Sequence, residues 1–573
     1  MTTPQPVHLV VGLNGLWGHP KHIEYLGESV VKHSARPEAP PSETAPASPS
    51  AQPMKVVVLL AKSNAVDWTY GYDSIEVCAD RVVDEIDAEV ERIKQDGGRV
   101  ERFSMVGYSL GGLISRFAIG ILDSRQPSFF DEITPVNFAT FASPAIGIPQ
   151  YRTFWSSVFR FLGARLLSRT GEQLYEKDRF LPTSFHNPDA GENSGKSGRK
   201  SGLARLLPFV PRGKEPAEPL LKIMADPRYS FYKALSKFER IEVFANTVND
   251  RTVPFVTGAF EAHDPFALAR AKAQKIAEER GEDPATVTDV REGGLDITLR
   301  SDAPIVETYA YITPPPPSPS KQPKSTLLSR LTRKLPRVPM LLRPSSFPVA
   351  RWKGWIVVLT LPLTLPCVFC FLVVRFSLQG RASRKRIRAA RKARGEGRDG
   401  MLQRVGVRIA EVVEEAGVEN PEYAGGLDSP QGREGARSAA TSGTATPVGS
   451  NSANGAADSK TALLSPSSSA SSNTTSSSIP SSATLPSRRS SPFPPPSSED
   501  LHTAHRLKTD PLLSDSQRFQ LENLNALPQL RKHFVWLPQV RHTHGAIVRR
   551  DPNFYYAKEG KKVVDSWARE FRV

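Results

Sequence analysis

The stretch VERFSMVGYSLGGLISRF, Val100–Phe117, changes its apolar period in the middle. Phe103, Met105 and Val106 lead in as a strand. Beyond Gly107-Tyr108-Ser109-Leu110-Gly111, the residues Leu113, Ile114, Phe117, Ala118 and Ile119 recur at helical spacing. Strand, tight turn and helix together are the setting of a nucleophile elbow, whose middle residue sits in a strained backbone conformation. Gly107 and Gly111 are expected to be small because strand and helix cross there without room for side chains. Ser109 then projects alone from the turn. A serine hydroxyl is a poor nucleophile at its own pKa, so this reading demands a histidine, an acid to orient it, and backbone donors for an oxyanion. The competing reading, a chance G-x-S-x-G, is weakened by the strand before it and the helix after it.

On the N-terminal side, Val7–Val11 reads as a buried strand that ends in the glycine-rich turn Gly12-Leu13-Asn14-Gly15-Leu16-Trp17-Gly18. Such a turn lets backbone N–H groups face outward, so the Leu16 and Leu110 amides are the expected oxyanion donors, with Gly15 as a supporting turn glycine. His33–Pro53 reads as a solvated loop, Met54–Leu60 as a strand, Ser74–Lys94 as a helix and Val136–Ala142 as the next strand. Repeated strand, helix, strand order implies a mostly parallel sheet with helices on both faces and ligands at the strands' carboxyl ends.

Further along, Tyr151–Leu167 is rich in aromatic and aliphatic residues, and a packed helix is preferred there to a substrate-facing cap. Pro188–Gly202 is a polar, glycine-rich break. Ile241–Asn246 is a strand, and Asp250 just beyond it stands where a Ser, Asp, His chain order places the orienting carboxylate; Asp264 is the second candidate. The base must come later. Arg541-His542-Thr543-His544-Gly545-Ala546 offers two histidines, of which His544, flanked by small residues, has room to reach Ser109. His-x-His also suggests a metal, but no acidic or cysteine partner lies nearby, so neither metal nor organic cofactor is expected.

Composition limits how much of the chain is globular. Among 573 residues there are fifty prolines, a net charge of +16 and only 39% hydrophobic residues, so a good fraction is expected to be linker. Cys78, Cys367 and Cys370 cannot form a disulfide framework, which points to a reducing compartment, and the N-terminus lacks the pattern of a secretory signal. Residues Gly354–Val374 are uncharged and mostly apolar, long enough to enter a bilayer. Arg381–Arg394 follows with eight basic residues and no acid, which beside an apolar segment suits anionic lipid headgroups better than nucleic acid.

The expected organisation is a main α/β unit over 1–312, with disordered insertions at about 33–53 and 188–217. A Pro/basic linker at 313–351 leads to a membrane-inserting segment at 352–376. A basic, amphipathic region at 377–424, including a short helix at Met401–Val418, then leads to Ser/Pro-rich disorder at 425–500. A C-terminal return at 525–573 carries the histidine.

Four stretches together resemble one family: Leu13–Gly18, Gly107–Gly112, Asn249–Pro254 and His542–Arg550. It is the serine esterase family of the α/β-hydrolase superfamily, well populated in fungi, that includes lipid-droplet phospholipase and monoacylglycerol-lipase-like proteins. The resemblance implies an α/β-hydrolase fold and a triad of Ser109, Asp250 and His544 acting on acyl esters of lipids. Separately, the basic residues on both flanks of the apolar segment favour the cytosolic face, so residence at the cytosolic face of the endoplasmic reticulum or on lipid droplets is expected. The chain departs from the family at Asn14 and Tyr108, where histidines are usual. Those departures support the alternative of an inactive hydrolase scaffold that tethers membranes. Because Asp250 precedes the apolar segment and His544 follows it, a single crossing would separate them, and Pro362 and Pro366 suggest a monotopic hairpin instead.

Overall fold

The computed structural model describes residues 4–34, 54–66, 69–180, 218–280, 289–313, 351–393 and 494–573. Its strands are β1 (Gln5–Leu13), β2 (Lys55–Leu60), β3 (Gly98–Tyr108), β4 (Thr134–Phe141), β5 (Gln150–Tyr151), β6 (Arg240–Asn246), β7 (Leu295–Leu299), β8 (Ile305–Tyr311), β9 (Pro511–Leu512) and β10 (Leu530–Val535). The longer helices are α1 (Glu24–Ser34), α2 (Ile75–Gln95), α3 (Leu110–Asp123), α4 (Phe154–Leu166), α5 (Ser168–Leu174), α6 (Pro265–Arg280), α7 (Arg351–Ala393), α8 (Ser498–Leu507), α9 (Asp515–Asn525) and α10 (Ala557–Arg569).

A strand that is apolar on both faces must be covered on both, and β1 is buried from Val7 onward. Val7, Leu9, Val11 and Leu13 pack with Val82, Val83 and Ile86 of α2 and with Leu113 and Phe117 of α3. Val10, on the opposite face, packs with Leu26 and Val30 of α1 and with Val563, Val564 and Trp567 of α10. Each such fully buried apolar side chain contributes roughly 1.5–3 kcal/mol. The sheet order is β2-β1-β3-β4-β6-β10-β8-β7, parallel from β2 through β10 and antiparallel at β8 and β7. A mostly parallel sheet between two helix layers is consistent with an α/β hydrolase.

Strand β10 comes from the far end of the chain and slots between β6 and β8, with Leu530 opposite Ile241 and Val535 opposite Asn246. Two neighbouring parallel strands therefore end side by side, and the loops that follow them meet. The end of the C-terminal helix is tied to β6, since the Arg240 guanidinium bridges Glu242 at 2.7 Å and Glu570, just past the helix, at 2.5 Å. Arg240 and Glu242 are both buried, so removing either one costs on the order of 3–5 kcal/mol. His8 of β1 is held neutral: burial first, then the Arg102 charge, lowers its pKa to about 4, and its Nε2 lies 2.8 Å from Ser104 Oγ.

Several expectations are corrected. The Tyr151–Leu167 aromatics are not packed: Phe154, Trp155, Phe159 and Phe161 are 74, 65, 62 and 56% exposed. Helix α4 docks instead through its small corner, where a Cβ on Gly163 would fall 2.4 Å from the Tyr175 ring, and Ala164 is its buried residue. No hairpin forms at Pro362 and Pro366, because α7 runs as one helix through both. A proline removes one donor and bends a helix, but the bonds of the turns on either side carry it on. Among the described residues no helix is long and apolar enough to cross a membrane. The chain expected to be disordered up to residue 500 is already helical at Ser498, where Ser497 and Asp500 form a capping box. Residues 188–202, 314–348 and 401–418, and most of 33–53 and 425–500, lie outside the described residues.

Candidate active site

Ser109 occupies the turn between β3 and α3 with φ 56° and ψ −127°, a conformation that a residue with a Cβ adopts only at a cost of roughly 1–3 kcal/mol. The crossing explains the flanking glycines. A Cβ on Gly107 would fall 2.4 Å from Gly112 Cα, and one on Gly111 would fall 2.5 Å from the Leu13 carbonyl oxygen. The glycine-rich loop after β1 lies directly against the serine, for a Cβ on Gly15 would meet Ser109 Cβ at 2.5 Å. Gly71 lies against the side chains of Leu16 and Leu110, its Cβ position being 2.9 Å from Leu16 Cδ1 and 3.9 Å from Leu110 Cδ2.

Asp250 follows β6, and its carboxylate is fully committed. Oδ1 accepts the N–H groups of Thr252 and Val253, each at 2.9 Å, and Oδ2 accepts from Asn246 Nδ2 at 2.9 Å. Burial alone would raise its pKa. The His544 charge and hydrogen bond, the Val253 amide and Asn246 outweigh that and hold it below the usual carboxylate range. His544 follows β10 on the short helical turn Thr543–Ala546. Its Nδ1 lies 2.9 Å from Asp250 Oδ2 and its Nε2 lies 3.0 Å from Ser109 Oγ. A carboxylate only accepts, so Nδ1 carries the proton and Nε2 presents a lone pair to the serine hydroxyl. The structure thus brings Ser109, His544 and Asp250 into one chain of hydrogen bonds. His542 is exposed and makes neither contact. Asp264 is elsewhere: it accepts from the Ala267 N–H at 2.8 Å at the start of α6, and burial pushes its pKa up to about 7.

Residues that a sequence reading did not single out hold the two loops together. Thr543 Oγ1 donates to the Val248 carbonyl at 2.7 Å, and Asn249 Nδ2 donates to the carbonyls of Pro538 and Val540. Asn249 has φ 60°, and an Asn-Asp pair after a strand is the signal that could have marked it. Among the described residues no group of three or more His, Cys, Asp and Glu is placed to hold a metal ion.

The two departures have defined places. Asn14 Nδ2 donates to the Gly15 carbonyl at 3.1 Å, inside the glycine-rich loop after β1. Tyr108 is buried, burial pushes its hydroxyl pKa up, and the hydroxyl donates to the His544 carbonyl at 3.0 Å. Tyr108 therefore braces the histidine's backbone. Substituting Tyr108 by Phe removes one bond worth about 0.5–1.5 kcal/mol, so kcat should fall by no more than about tenfold. Steady-state kinetics would show it, and a loss of several orders of magnitude would give Tyr108 a direct part in the chemistry.

Residues 3–264, just under half of the chain, match the family model described as "Putative serine esterase (DUF676)". The resemblance to that family holds over this part, which contains Ser109 and Asp250 and stops short of His544. The chain is 28% identical over 211 residues to "Putative lipase C4A8.10" of Schizosaccharomyces pombe, covering 37% of this chain and 21% of that protein. It is 30% identical over 191 residues to "Putative lipase YDR444W" of Saccharomyces cerevisiae, covering 33% and 24%. The chain thus spans about a fifth to a quarter of the length of these curated relatives. A solved structure, a "putative cell surface hydrolase" of Lactobacillus plantarum WCFS1, is 16% identical over 45% of this chain and 75% of its own. Its TM-score of 0.19 is too low to bear on the fold.

Proposed function

We propose that the chain is a serine esterase that cleaves acyl esters of membrane or lipid-droplet lipids, phospholipid or monoacylglycerol, through a covalent acyl-enzyme. One observation carries the reading: the Nε2 of His544 stands 3.0 Å from Ser109 Oγ while its Nδ1 stands 2.9 Å from Asp250. Ser109 Oγ attacks the ester carbonyl carbon as His544 takes its proton. The carbonyl oxygen becomes an oxyanion held by the Leu16 and Leu110 amides; outside their own elements these amides are given to no backbone carbonyl among the described residues. His544 returns the proton to the leaving alcohol, the C–O bond breaks, and water repeats the cycle on the acyl-serine. No cofactor takes part in these steps.

The lipid surface is the proposed partner, met by the basic residues of Arg381–Arg394. The cytosolic face of the endoplasmic reticulum or a lipid droplet is the proposed location, in keeping with three free cysteines. Incubating the full chain, with a Ser109→Ala control, with a panel of phospholipids and monoacylglycerols and identifying released fatty acids by mass spectrometry tests the reading. Fatty acid released by the wild type alone supports it; release by neither leaves the inactive tether as the better account.

A further inference from the structure

Two helices, α4 and α7, pack on one another, each with a surface that no described part of the protein covers, and α7 reaches the glycine-rich loop after β1. α4 turns its aromatic residues outward, and every residue of α7 from Pro366 to Leu372 is exposed. A helix that is apolar all round belongs in a core or in lipid, not in water. Past Arg375 the same helix changes character and docks, with Gly380, Ser383 and Ile387 buried at spacings of three and four. Ser383 Oγ donates to the Tyr72 carbonyl at 3.0 Å, and Ser168 Oγ, beside α4, donates to Ser383 Oγ at 3.2 Å. The Arg386 guanidinium bonds the fully buried Asp73 carboxylate at 2.8 and 2.9 Å, so the exposed half of α7 projects from a fixed base.

That base touches the site. Trp17, next to Leu16, stacks on Phe376 of α7 with ring centroids 6.3 Å apart, and its Nε1 donates to the Tyr72 hydroxyl at 2.5 Å. Trp17 is itself 42% exposed, so the apolar surface of α7 continues onto the loop that lies against Ser109.

The charges say what covers this surface. Neither Phe154–Leu166 nor Arg351–Ala393 contains an acid, while Arg165, Arg375, Arg381, Arg384, Lys385 and Arg388 are exposed. Two copies of such a face brought together would repel along their basic rims. Anionic headgroups over hydrocarbon complement both its charge and its apolarity.

We infer that α4, the apolar part of α7 and Trp17 form one docking face for a lipid surface bearing anionic headgroups, set beside Ser109. Its purpose rests on the esterase reading, but its binding does not. α4 adds a second apolar limb to the surface, independent of the basic run in α7.

The test uses the full chain carrying Ser109→Ala, so that no lipid is consumed, co-sedimented with vesicles of phosphatidylcholine alone or mixed with phosphatidylserine. The parent should bind the mixed vesicles, and more weakly at high salt. Trp155→Ser/Phe159→Ser should weaken binding by at least about tenfold while its thermal unfolding matches the parent. Arg384→Glu/Lys385→Glu should erase the preference for phosphatidylserine. Should the α4 double variant unfold, bromine-labelled phosphatidylcholine replaces it as a probe: parent tryptophan fluorescence should be quenched more than that of Trp155→Phe. Binding of the double variant equal to that of the parent overturns the inference. So does equal quenching, or a parent that is dimeric without vesicles and made monomeric by the α4 substitutions. A wild type that no fluorophosphonate labels sinks the esterase reading and leaves these binding results standing.

Discussion

Replacing Ser109 by Ala should abolish labelling by a fluorophosphonate probe and lower ester hydrolysis by up to about a million-fold, the loss seen when an activated serine is removed. The expectation comes from where the hydroxyl stands. Its backbone is held at φ 56° by glycines on both sides that no other residue could replace without striking Gly112 Cα or the Leu13 carbonyl. Its Oγ is 3.0 Å from a histidine whose far nitrogen is already oriented. Alanine keeps the turn and the glycine-rich loop beside it but leaves no hydroxyl to form the proposed acyl-enzyme. Gel fluorescence after probe treatment, with thermal unfolding as the control for folding, measures it. Equal labelling of wild type and variant would place the reactive group elsewhere and end the esterase reading.

Loss of His544 should cost nearly as much as loss of Ser109. Without the base the serine keeps its proton, and neither the attack nor the departure of the alcohol has a proton carrier. His542→Ala should keep most of the rate, because that ring is exposed and bonds to neither partner. Asp250→Asn belongs between them, at roughly a ten-thousand-fold loss, since an amide no longer selects the tautomer with the proton on Nδ1 or balances the imidazolium. The Thr252, Val253 and Asn246 N–H groups that donate to Asp250 favour its ionised form whichever state His544 is in, so the aspartate acts as a fixed charge. Turnover of one lipid ester by the three variants gives the ranking, and His542→Ala falling below His544→Ala would move the base.

Helix α4 shows how composition can mislead. Aromatic crowding in Tyr151–Leu167 reads as core, because large apolar side chains are usually inside. The rings are in fact spread widely round α4, and the helix meets its neighbours through Gly163 and Ala164. The two prolines in α7 read as a turn, yet one lost donor at each is tolerated within a helix whose basic end is bolted to Asp73.

Local pattern by itself determined the elbow, the glycine-rich loop, the α2 helix and the leading strands, since each is a matter of backbone period and turn chemistry within a dozen residues. It also put forward Asp250 and His544, by chain order and by the room around the histidine. What it had no means to decide was their meeting. That depends on β10 entering the sheet between β6 and β8, a pairing of segments almost three hundred residues apart, and on Thr543 and Asn249 stitching the loops that follow those strands. Strand neighbours are chosen by complementary faces and by which edge remains open once the rest of the sheet has formed, and neither is written in any local stretch of chain. Chain order and flanking residues ranked His544 over His542 and Asp250 over Asp264, but the contacts of His544 with Asp250 and Ser109 at 2.9 and 3.0 Å are set by packing alone.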